Sequence, residues 1–90
     1  MNLLAVTVIG HDRPGIIADV TAVLAELGGN LEDSSMTILR GHFAMTLLVS
    51  ASSDAARVEE RLAPLAADGS LLVSVRAMPP EDRGEPSGTA

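Results

Sequence analysis

An α+β domain of order strand, helix, strand, strand, helix, strand follows from three observations on this 90-residue chain. Four segments rich in Val, Ile, Leu and Thr alternate with the period of a strand, and two others repeat apolar residues at helical spacing. Glycine-containing pairs stand where one kind of segment gives way to the next.

Leu3 to Ile9 is β-branched and apolar on both alternating faces, which predicts a central strand, β1. The stretch from Gly10 to Gly15 is turn-rich, with Pro14 placed where a first helical turn tolerates a missing N–H. Ile16, Ile17, Val20, Val23, Leu24 and Leu27 then form the apolar stripe of a helix, α1, that ends at Gly28-Gly29. Asn30 to Leu39 predicts a strand with a polar first half, β2, and Arg40-Gly41 joins it as a hairpin to His42–Ser50, β3. Ser52-Ser53-Asp54 supplies N-cap chemistry for a second helix, α2, whose apolar side runs from Ala55 through Val58, Leu62 and Leu65 to Ala66 and which Asp68-Gly69 ends. Leu71 to Met78 is the last strand, β4. Residues 79–90 carry no hydrophobic pattern and read as a disordered tail, so the expected folded domain is residues 1–78.

Two crossovers joined by a hairpin specify a ferredoxin-like βαββαβ fold, a four-stranded antiparallel sheet with both helices on one face. Because β1 and β3 are apolar on both sides, the helix-free face is expected to carry Leu, Val, Ala and Met and to meet a partner, most simply a second copy of the chain.

Composition excludes several classes of function. Cysteine is absent, which removes disulfides, thiolate metal sites and thiol nucleophiles. Six Arg and no Lys stand against twelve Asp and Glu, a net charge of −6. The Arg residues are scattered rather than clustered, so a nucleic-acid partner is not expected. With no long apolar run and no basic leader at the start, the expectation is a soluble, cytoplasmic protein that meets no membrane.

The residues with chemical potential gather around the connection after β1 and the start of β2. First-turn N–H groups of α1 point into that loop with partial positive charge, where a ligand carboxylate can sit. Gly15 either lets a ligand approach or relieves packing at the helix start. Asp12 is either an N-cap or a contact for a ligand's ammonium group. Asn30 either takes a turn conformation or offers its amide to a ligand. His11 and His42 match no local ligand motif and read as exposed, uncoordinated histidines, and no metal or other cofactor is assigned to them or to Asp12. Ser34 and Ser35 lack a paired base and read as solvated. Met36, Met45 and Met78 read as core or interface fillers.

The run Val8-Ile9-Gly10-His11-Asp12-Arg13-Pro14-Gly15-Ile16-Ile17-Ala18-Asp19-Val20, followed by Leu24 to Asp33 with its Gly-Asn-Leu, resembles the ACT domain. More narrowly, it resembles the branch found in glycine-cleavage-repressor-like proteins and small stand-alone bacterial ACT proteins. The regulatory segments of phosphoserine phosphatases and formyltetrahydrofolate deformylases share the motif. The resemblance covers nearly all of residues 1–78. It implies a non-catalytic regulatory module that binds an amino acid or related metabolite where two copies meet, using Asp12, Arg13, Pro14, Gly15 and Ile16 with Asn30 and Leu31 opening β2. Repressor-like proteins usually carry two such domains in one chain. This chain has room for one, so a homodimer or higher homo-oligomer would supply the second, and the regulatory output would pass to a separate enzyme or regulator. Two other readings stand beside it. One is a small enzyme of the acylphosphatase type using Arg13 and Asn30, against which Asp12 would repel the phosphate and Pro14 removes a donor. The other is a purely structural dimerisation or docking module.

Overall fold

The computed structural model describes residues 1–11, 15–67 and 69–79. The elements come in the expected order: β1 Asn2–His11, α1 Ile16–Glu26, β2 Asn30–Leu39, β3 His42–Ala51, α2 Ala55–Leu62, a short 3₁₀ turn Ala63–Ala66, and β4 Leu71–Met78. The strands form one antiparallel sheet ordered β2-β3-β1-β4. This is the ferredoxin-like arrangement read from the sequence.

β1 is longer than its apolar run. Cross-strand pairing with β3 extends from Asn2 opposite Ala51 to His11 opposite His42, so backbone bonding rather than side-chain hydropathy sets its ends. The second helix is shorter than expected. It yields to a 3₁₀ turn at Ala63, because Pro64 has no N–H to continue the α-helical ladder.

Each boundary has a physical cause. Asp54 caps α2, the Arg57 N–H donating to its Oδ1 at 2.9 Å. At the end of α1 the Gly28 N–H donates to the Ala25 carbonyl (3.0 Å) and the Gly29 N–H to the Leu24 carbonyl (2.9 Å). That is a Schellman closure, with Gly28 left-handed at φ +74°. The hairpin between β2 and β3 turns on Arg40 (φ +51°) and Gly41 (φ +80°), both left-handed as a type I′ turn requires. Of the expected tail, 79–90, residues 80–90 lie outside the described residues, as does Asp68.

The core lies between the sheet and the helices. Leu4, Val6 and Val8 of β1, and Phe43, Met45, Leu47 and Val49 of β3, are buried against Ile16, Val20 and Leu24 of α1 and Val58 and Leu62 of α2. The opposite face is less apolar than expected. All five strand valines, Val6, Val8, Val49, Val73 and Val75, take the helix-side positions. The helix-free face carries Leu3, Ala5 and Ile9 with Thr7, Ala44 and Leu48 with Thr46, and Leu72 and Met78 with Ser74 and Arg76.

β2 is the exception in burial. It is an edge strand, and all ten of its residues are exposed. Its ladder with β3 is interrupted by a bulge at Glu32, between the pairs Leu31–Val49 and Asp33–Leu48. The bulge puts Leu31, Ser34, Met36 and Ile38 all on the helix side, where no helix covers them: Leu31 is 51%, Met36 49% and Ile38 52% exposed.

Candidate functional site

The uncovered side of β2 and the exposed flank of α1 form a groove of about 260 Å³ whose walls include Ile17, Thr21, Leu31, Met36 and Leu47. Its lining is mostly apolar. The Thr21 hydroxyl is already engaged, donating within α1 toward the Ile17 and Ala18 carbonyls at 3.0 and 3.1 Å.

At the start of α1, Gly15 occupies the N-cap position with φ +82°, and among the described residues no side chain caps the helix there. A Cβ added at Gly15 would meet nothing within 4 Å. Glycine is therefore required by backbone conformation, not by relief of packing. Whether Asp12 caps the helix or meets a ligand falls outside the described residues, and Arg13 and Pro14 lie outside them too. Ile16 is buried in the core at 1% exposure, so only its backbone can face a ligand. Ile17, grouped with Ile16 in the apolar stripe, is 40% exposed and lines the groove instead. The adjacency of two isoleucines held the clue, since neighbours on a helix point about 100° apart and are not equally buried by one core.

Leu31 lines the groove, but Asn30 lies far from Gly15. Asn30 pairs with Ser50, which is opposite Leu3 at the beginning of β1, whereas Gly15 follows the end of β1 at His11. Eight residue steps at about 3.3 Å put the two ends of β1 about 26 Å apart. Within one chain Gly15 and Asn30 do not meet; Arg13, which the acylphosphatase reading paired with Asn30, lies outside the described residues. The Asn30 side-chain amide donates to Glu32 Oε2 (3.1 Å), and the Ser50 hydroxyl donates to the same oxygen (2.7 Å). The bulge residue thus ties the edge strand β2 to its neighbour β3 at that end.

The sheet register brings together one pair that sequence spacing did not reveal. His11 and His42 face each other across β1 and β3 with ring centroids 4.3 Å apart and planes at 37°. Both are exposed, as expected. Ser34 and Ser35 are exposed too, and of the three methionines Met45 is buried while Met36 and Met78 stay partly in solvent. No helix among the described residues is long and apolar enough to cross a membrane.

Comparison with known proteins agrees with this architecture. The ACT domain family matches residues 2–76. A UPF0237 protein of Corynebacterium diphtheriae is 36% identical over 75 residues, covering 80% of this chain and 84% of its own. A UPF0237 protein of Methanopyrus kandleri is 56% identical over 52 residues, and the match spans only 58% of that protein's length. Among solved structures, an ACT domain protein from Streptococcus pneumoniae superposes with a TM-score of 0.73 at 28% identity, covering 84% of this chain and 89% of that one. A protein assigned as a glycine cleavage system transcriptional repressor superposes equally well, with a TM-score of 0.73 at 28% identity, over 88% of this chain and 46% of that chain. The chain belongs to the ACT domain family, within its UPF0237 group.

Proposed function

We propose that this ACT domain binds an amino acid or related small metabolite at the interface of a homodimer formed along β2, and that the liganded dimer adjusts a separate enzyme or regulator. The observation that carries the proposal is the separation of Gly15 from Asn30 to opposite ends of the sheet. A two-fold axis beside β2 runs the two edge strands antiparallel, so the start of one lies beside the end of the other. Asn30 and Leu31 of one copy then approach the loop end of the other, where Gly15, Ile17 and the groove are found. A single chain holds two half-sites; the dimer makes them whole.

β2 suits such pairing. It is ten residues long and fully exposed, and an unpaired edge of that length is a template for a second strand. Leu31, Met36 and Ile38 supply apolar surface beside it. The sequence placed the partner on the helix-free face; the edge is preferred because face-to-face packing would leave Asn30 far from the loop. First-turn N–H groups of α1 supply the attraction for a carboxylate, and Gly15 leaves the approach open.

Two measurements test this. Sedimentation at about 100 μM is expected to show a dimer for the native chain and a monomer for Met36→Glu, which puts a charge on the exposed flank of the edge. A native monomer overturns the proposal. Calorimetric or thermal-shift screening of the twenty amino acids and related metabolites is expected to find a ligand. That ligand is expected to fail with Gly15→Asp but to persist with Gly15→Asn, because both variants make the same demand on the backbone and only one adds negative charge. Equal binding by both variants places the site elsewhere.

A further inference from the structure

We propose that His11 and His42 form a binding site for a divalent transition ion of cis-square-planar or octahedral preference, Cu²⁺ or Ni²⁺. The site belongs to the single chain and does not depend on the dimer or the metabolite. Three observations carry it. The β1–β3 register sets the two histidines directly opposite each other, so backbone pairing fixes their neighbourhood although 31 positions separate them in sequence.

Second, the ring of His42 is oriented. Its Nδ1 lies 3.2 Å from the Arg40 carbonyl oxygen. A carbonyl only accepts, so Nδ1 carries the hydrogen and the neutral ring keeps its lone pair on Nε2. A backbone carbonyl holding the far N–H is the usual support of a metal-binding imidazole. Arg40 contributes that carbonyl from a left-handed conformation at φ +51°, a position where a residue with a side chain is uncommon.

Third, the spacing selects the ion. With metal–nitrogen bonds of about 2.0 Å, an imidazole centroid lies about 3.2 Å from the ion. Two rings at a right angle about the ion then have centroids about 4.5 Å apart, and two at a tetrahedral angle about 5.2 Å. The observed 4.3 Å fits the right angle. Tetragonal geometry with nitrogen and oxygen donors is that of Cu²⁺ and Ni²⁺, and imidazole suits both. Among the described residues no third histidine, aspartate or glutamate completes a cluster, and the proposed site takes its remaining donors from water. The ion would fasten the end of β1 to the start of β3, where the chain leaves for α1.

The test uses the untagged chain with NiCl₂ or CuCl₂ alone. Micromolar binding by calorimetry is expected, with a rise in melting temperature at millimolar ion. Affinity should fall about tenfold or more in both His11→Gln and His42→Gln. Because both rings are exposed, the glutamine variants should fold. As a measure on the native chain itself, substoichiometric Cu²⁺ should broaden the amide resonances of residues near 11 and 42 first. The competing N-terminal amine precedes β1 at the opposite end of the sheet, so broadening there first overturns the site. Undiminished binding by either glutamine variant, or no binding by the native chain at millimolar ion, overturns it as well.

Discussion

The two helices of this domain begin in opposite ways. α2 starts at Asp54, whose carboxylate accepts from the Arg57 N–H, so the helix satisfies one of its own orphan donors. α1 starts at Gly15, which has no side chain and is left-handed. One beginning serves stability within the chain. The other gives up side-chain capping at its N-cap and adopts a backbone shape that glycine alone takes readily. Under the proposed function α2 belongs to the scaffold and the start of α1 to recognition, a division that can be broken from either side.

The largest effect is expected from Gly15→Val, which forces a β-branched residue to φ +82°. It should lower stability by about 2 kcal/mol in chemical denaturation although its Cβ meets no neighbour. A loss as small as that of a surface substitution would show that the loop relaxes and that the left-handed start is not imposed by the fold. Asp54→Ala should cost about 1 kcal/mol and leave ligand affinity unchanged, since the cap lies on α2. A change in affinity would erase the division between the helices. The smallest effect belongs to Arg61→Ala, which removes the 2.7 Å ion pair from Arg61 to Glu26 that joins α2 to the end of α1. Both partners are substantially exposed, so about 0.3 kcal/mol is expected, fading in high salt.

Local chemistry was the legible part of this sequence. The Asp54 cap, the glycine closure of α1 and the Arg40-Gly41 hairpin could be read from neighbouring residues because their causes lie within a few positions of one another. Pro64 carried an equally local signal, and the break in α2 follows from its missing N–H. Relations set by register were not legible. His11 meets His42 only because β1 and β3 pair in one phase, and a shift of one residue would turn one ring to the other face. The remoteness of Asn30 from Gly15 belongs to an intermediate class. It follows from strand order and direction, since β1 and β2 run parallel with β3 between them, so the start of one aligns with the start of the other. The candidate residues are therefore legible as a set in the sequence, whereas the distance between Gly15 and Asn30 within one chain is not.

The bulge at Glu32 makes one position of the domain unusually tolerant of a change in chain length. Leu31 and Ser34 already share a side of β2 across the bulge, so excising Glu32 would restore unbroken alternation and leave Met36 and Ile38 facing as they do now. Excising any single residue between Ser34 and Ile38 would instead reverse the facing of one part of the strand relative to the other. Natural variation in length within this strand should accordingly gather at residue 32, and a chain one residue shorter there would lose only the carboxylate that Asn30 and Ser50 share.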